Sequence, residues 1–154
     1  MTFQETITWV EQEIKRGRSD TVHDFLAYLA EQMIELNKRK NEEIKGFLKW
    51  LEREIGCNID NLIGKTFLKD YHEGDIIALL AVLKRNRPKI SIDPTNRKTQ
   101  ETLEKHFEES MTVLVPLKNK IKATDNLIDQ IVYRLYNLTP EEIEIVAGKN
   151  ESVK

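Results

Sequence analysis

A chain of 154 residues with 40% hydrophobic and 32% charged side chains is one domain by length, and this balance suits surface-rich helices better than a compact sheet protein. The net charge of −2 excludes a globally basic, histone-like binder, so any nucleic-acid contact has to come from a local patch. The single cysteine, Cys57, excludes an intramolecular disulfide and a thiolate metal cluster and fits a reducing cytosol. Lacking an apolar run of the roughly twenty residues that span a bilayer, the chain is expected to be soluble, cytoplasmic and away from the membrane.

Thr2 can cap a first helix whose stripe is Phe3, Ile7, Val10 and Ile14, ending at Gly17. Ser19 or Asp20 then caps a second. Its stripe runs Val22, Leu26, Leu29, Met33 and Leu36, skips the polar Lys40, and resumes at Ile44, Phe47, Leu51 and Ile55 before Gly56. Alternating threes and fours over several heptads form a coiled-coil-like seam, on a helix on the order of 50 Å long. The polar interruption 37–43 is where a break or bend is expected.

Two short helices follow, around 59–67 and 73–85; the second, Ile76 through Leu83, is apolar nearly all round and should be buried on more than one side. After a loop at 87–91, Asp93 reads as an N-cap with Pro94 at the first helical position. The register Leu103, Phe107, Met111, Leu114, Leu117, Ile121, Ile128, Ile131 and Leu135 passes through Pro116 without a slip, so a kink near Thr112 is expected and not a chain break. The two long helices, 20–55 and 94–137, have matching seams. The economical arrangement is all-α: an elongated antiparallel hairpin with the shorter helices packed at its end and a small C-terminal helix. Residues 1–18 form the N-terminal helix, 19–148 the hairpin domain and 149–154 a disordered tail.

The end of the hairpin carries the sharpest punctuation. Asn137 suits a left-handed helix stop, Thr139 an N-cap, Pro140 the first helical position, and Glu142 completes a Thr-x-x-Glu capping box. The whole segment, T-D-x-x-I-D-x-x-V-Y-x-L-Y-x-L-T-x-E-E-I-x-I-V-x-G from Thr124 to Gly148, resembles the extreme C-terminus of Eco57I-like, TaqI-like restriction-modification proteins, which carry an adenine-specific DNA methyltransferase. Asn137 and Ala147 depart from that pattern, where Gly and Glu are expected. The segments starting at Met33 and Ile59 are similar to helical-tail stretches of the same family, and the resemblance extends over about residues 20–148. It implies a non-catalytic piece: S-adenosylmethionine would serve the parent enzyme and not this chain, and the partners would be DNA and the methyltransferase and target-recognition modules.

The residues themselves offer one candidate for DNA contact. Lys84, Arg85, Arg87 and Lys89, then Arg97 and Lys98, gather six cations near a helix connection with Asp93 opposing them. Such clusters neutralise phosphates; they also suit a solvated helix end, where cations complement the dipole. A second group, Lys118, Lys120 and Lys122, reads as the wet face of a seam helix. In an antiparallel hairpin it could join Lys38, Arg39 and Lys40 in a composite basic surface. Tyr133 and Tyr136 could stack on bases but more simply pack on the bundle.

Signals for catalysis are weak. His23-Asp24 is one HD dipeptide without further metal ligands, Cys57 lacks a base, and neither a Gly-rich cofactor loop nor an Asn-Pro-Pro-Tyr-type element is present. The chain is expected to be catalytically silent and to hold no metal. It would contact the DNA backbone and brace target recognition. The alternative is a coiled-coil assembly module that binds a partner subunit or a second copy without touching DNA.

Overall fold

A computed structural model describes the backbone of residues 2–152 and the side chains of residues 2–147, and every regular element among them is helical. Helix α1 (Phe3–Lys15) opens on the expected capping box. The Thr2 hydroxyl accepts the Glu5 amide at 3.1 Å while the Glu5 carboxylate accepts the Thr2 amide at 3.2 Å. Gly17, at φ +74°, ends it. Helix α2 (Ser19–Ile55) is continuous, so the expected break at 37–43 does not occur. That stretch holds Lys, Arg and Glu and neither Pro nor Gly, so its polarity costs packing and leaves helix propensity intact.

The packing divides near that polar stretch. Residues up to Glu35 and from Lys120 onward form one compact unit, the terminal unit, and Leu36–Asn119 form another, the central unit. The boundaries fall inside the two long helices.

In the terminal unit, Ile7 and Val10 of α1 pack with Val22 and Leu29 of α2 and with Ile131 from the last part of α5 (Arg97–Leu135). Trp9 sits edge-on to Phe25 at 5.6 Å, and Arg134 donates to the Glu11 carboxylate at 2.9 Å, tying α1 to α5. Asn137 takes the left-handed conformation at φ 49°, and the Leu138 amide donates back to the Tyr133 carbonyl at 2.9 Å. The Thr139–Glu142 capping box forms with both bonds at 3.2 Å and opens helix α6 (Pro140–Ser152). Of the tail expected to lack structure, residues through Ser152 continue α6, while Val153 and Lys154 lie outside the described residues.

Within the central unit, α2 and α5 run antiparallel. Trp50 stacks on His106 with ring centres 3.9 Å apart and Phe47 meets Phe107 edge-on at 6.4 Å, while farther along α2 Glu54 shares a groove with Lys98 and Thr102. As numbers rise along one helix they fall along the other.

The expected helix at 59–67 is split. A single 3-10 turn (Ile59–Asn61) and helix α3 (Lys65–Lys69) are separated by Gly64, which is left-handed at φ +82°. A second 3-10 turn (Tyr71–Glu73) leads to helix α4 (Ile76–Arg85), whose N-cap Asp75 accepts the Ala78 amide at 2.8 Å. Leu79, Val82 and Leu83 of α4 join Phe47, Leu51, Ile55, Tyr71, Leu103 and Phe107 in one core. Burial on several sides of α4 is not what forms, since Ile77 stands 73% exposed.

Helix α5 begins three residues later than the sequence suggests. Asp93 spends its carboxylate on the amide and hydroxyl of Thr95, at 3.0 and 2.6 Å, and Asn96 is the side chain that accepts the Thr99 amide at 3.2 Å. Pro116 is carried inside the helix without a break, between the buried Leu114 and Leu117. Packing on both sides offsets the roughly 3 kcal/mol that an interior proline costs.

One backbone position gives a direct test. Gly56 ends α2 at φ +72°, and a Cβ there would lie 2.8 Å from the Ser91 hydroxyl oxygen. Ser91 is itself fixed, its amide donating to the Ile55 carbonyl at 2.8 Å. Gly56→Ala is expected to destabilise by about 1–2 kcal/mol. Gly17→Ala, equally left-handed but with nothing within 4 Å of its Cβ, should cost less. Urea midpoints of the two variants decide this, and equal losses would mean that the Ser91 contact contributes nothing.

Candidate nucleic-acid interface

The six cations expected to form a basic patch are all exposed and all belong to the central unit, at the end of α4, the following 3-10 turn (Arg87–Lys89) and the start of α5. One buried residue within the Lys84–Lys89 run anchors that run. Asn86, 1% exposed, accepts the Ile63 amide at 2.8 Å and donates from its carboxamide nitrogen to the Ile63 and Val82 carbonyls, each also at 2.8 Å. This staple fixes the last turn of α4 against the loop before α3.

The bond to Ile63 sets further cations beside the patch. Arg85 reaches over Gly64, its guanidinium nitrogen 3.8 Å from where a Cβ would stand, and Lys89 donates to the Asn61 carbonyl at 3.3 Å. Lys65 and Lys69 therefore share this region, and the Lys69 bond at 2.6 Å, with Lys65 assisting, holds the Asp60 carboxyl below its ordinary range. The sequence reading missed both lysines. Their i, i+4 spacing on a short helix was visible, but the loop contact that brings them here was not.

Partners for the six are few. Arg87 pairs with Asp93 at 3.3 Å and Arg97 with Glu101 at 2.8 Å, both exposed pairs of the kind worth little. Lys84, Arg85, Lys89 and Lys98 form no ion pair among the described residues. Lys84 and Arg85 close the last turn of α4, where the helix dipole favours them. Arg97 and Lys98 do the opposite: they open α5, whose first turn carries no acidic residue, and there the dipole disfavours cations.

The second lysine group falls on both sides of the division, with Lys118 in the central unit. Lys120 and Lys122 are exposed and belong to the terminal unit. Lys118 is not on a wet face: its ammonium lies 3.1 Å from His72 Nδ1, 3.4 Å from the His72 carbonyl and 2.8 Å from the Glu73 carboxylate. As the donor to Nδ1, Lys118 selects the neutral imidazole with its proton on Nε2. Burial first, then the positive charges of Lys118 and Lys40, push the His72 pKa down, against the opposing pull of Glu73 and Asp70. The Glu73 carboxyl is likewise lowered, chiefly by its bond from Lys118. Lys118 is thus removed from the set of phosphate contacts. Lys40 and Lys118 both bear on His72 through their charge.

Elsewhere, Tyr133 is buried and Tyr136 is 62% exposed, edge-on to His23 at 6.4 Å. Among the described residues no group of three His, Cys, Asp or Glu side chains is arranged to hold a metal ion, and no helix is long and apolar enough to cross a membrane.

The family described as a domain of unknown function, DUF8810, matches residues 19–132. The chain belongs to that family. Neither a curated protein nor a solved structure matches it. The matched span includes all six cations of the patch, Asn86 and the His72–Lys118 contact, whereas α1 and α6 lie outside it.

Proposed function

We propose that this chain is a non-catalytic helical domain that contacts the DNA backbone, and that it braces target recognition for an adenine-specific methyltransferase of a restriction-modification system. The methyltransferase context rests on the resemblance over about residues 20–148, which the Thr124–Gly148 segment carries most fully. The DNA contact rests on one observation: the six cations are all exposed, four of them form no ion pair among the described residues, and two of the six stand at a helix start where a neighbouring anion would relieve them. Backbone contact of this kind positions a protein on a duplex and leaves base reading to other modules.

A Lys84→Glu, Arg85→Glu, Lys98→Glu variant tests it. Each of these side chains is exposed and forms no ion pair, so the helical fold should persist by circular dichroism. Affinity for a 20–30 base-pair duplex is expected to fall about 100-fold, and the slope of log K against log salt to shrink by about three, near 0.9 per lost phosphate contact. Unchanged affinity and slope would remove the reading.

The other reading, an assembly module without DNA contact, draws on Ile34, Ile63 and Ile77, each more than 50% exposed. It predicts a concentration-dependent mass in sedimentation that the charge reversals leave untouched.

A further inference from the structure

On the central unit a groove of about 320 Å³ opens between Glu43, Gly46, Phe47 and Trp50 of α2 and His106 and Glu109 of α5. Its apolar lining is Phe47, Trp50 and Val113, with the His106 ring beside them. The Trp50 and His106 rings are stacked at 3.9 Å, 17° from parallel, and Phe47 lies 5.8 Å from the indole. Its charged lining is anionic, and neither Glu43 nor Glu109 forms an ion pair among the described residues.

Gly46 is a second, independent observation. Glycine inside a helix costs stability relative to alanine, and it usually marks a left-handed turn or a close neighbour. Gly46 has neither: it is absent from the positive-φ glycines, and an added Cβ would meet nothing within 4 Å. Among the described residues nothing in the fold needs the missing side chain. What the glycine provides is free space beside two rings and two unpaired carboxylates.

We infer that this groove receives the guanidinium of an arginine side chain from a partner protein. A planar, weakly hydrated cation stacks on an indole face, and its forked donors suit carboxylates, whereas a lysine ammonium offers neither property. Glu43 and Glu109 repel phosphate, so the occupant is not nucleic acid and the site is independent of the basic patch at the α4–α5 connection.

The test uses the full chain with Trp9→Phe, which leaves Trp50 as the reporter of the two tryptophans. The probes are Nα-acetylarginine N-methylamide and its neutral isostere, Nα-acetylcitrulline N-methylamide. The arginine probe is expected to quench Trp50 saturably, with a dissociation constant on the order of millimolar, while the citrulline probe does not. Glu43→Gln with Glu109→Gln should weaken binding about tenfold. Gly46→Met, which fills the space without a clash and raises helix propensity, should abolish it in a protein that melts no lower. Equal binding of both probes, or of neither, overturns the assignment. Tighter binding of tetramethylammonium would overturn the guanidinium specificity, and tighter binding of free arginine than of the blocked probe would overturn the partner-protein source.

Discussion

Asn86→Ala is expected to lower the stability of the central unit by about 3 kcal/mol, roughly ten degrees in Tm. The side chain is buried and makes three hydrogen bonds of 2.8 Å, and alanine leaves the amide and carbonyl of Ile63 without their partner. Losses of this size follow when buried polar groups are orphaned, whereas a single solvent-exposed bond is worth far less. Asn86→Asp sharpens the test. An aspartate can still accept the Ile63 amide, but it turns a second acceptor toward the Ile63 and Val82 carbonyls, so it should be at least as damaging as alanine. Urea unfolding followed at Trp50 in a Trp9→Phe background reports on the central unit, to which Trp50 belongs. An aspartate variant as stable as the parent protein would mean that the carboxamide does not donate as described. Duplex affinity should fall with Asn86→Ala as well, because the cations of Lys84–Lys89 keep their charge but lose their mounting.

Acidification is expected to lower the stability of the central unit in two stages, His72 first. The folded-state pKa of His72 lies below 6.5, so between that lowered value and 6.5 the unfolded chain binds more protons. The stability that depends on neutral His72 is therefore complete above about pH 6.5 and is lost as pH falls below it, with a slope of at most about 1.4 kcal/mol per pH unit for one proton. Protonation places an imidazolium 3.1 Å from the Lys118 ammonium and ends the bond to Nδ1. Glu73, also lowered, holds its contribution above its unfolded value of 4.5 and loses it as pH falls further. His72→Gln should flatten the upper stage and leave the lower one. Lys118→Met should mainly weaken the lower stage, since Lys118 is the first cause of the Glu73 shift but only the second, after burial, of the His72 shift. Melting temperatures measured from pH 8 to about pH 2.5, below the lowered Glu73 value, separate the cases. A His72→Gln profile parallel to that of the parent protein would assign the upper stage to another group.

These two polar assemblies bear differently on nucleic-acid contact. Asn86 holds cations outward at the α4–α5 connection, whereas His72 and Glu73 draw Lys118 inward. Tyr71 closes the same region of the core. It is fully buried, stacked on Phe47 at 4.1 Å and bonded to Ser110 at 2.6 Å, and burial raises its hydroxyl to about 12, so that it stays neutral and serves as packing.

What the sequence determined by itself is whatever closes within a few residues. The capping boxes Thr2–Glu5 and Thr139–Glu142, the stops at Gly17 and Gly56 and the left-handed Asn137 all place donor and acceptor, or the demand for positive φ, within one turn of each other. The apolar period likewise marked Phe47, Leu51, Leu103 and Phe107 for the core, because a helix cannot turn such a stripe away from its neighbours. Other features waited on tertiary structure. Asn86 finds Ile63 across 23 residues and Lys118 finds His72 across 46, so a residue in a basic run became the structural anchor and an apparent surface lysine was drawn inward. Partners that far apart are set by how α4 and α5 pack, and no local pattern encodes that choice.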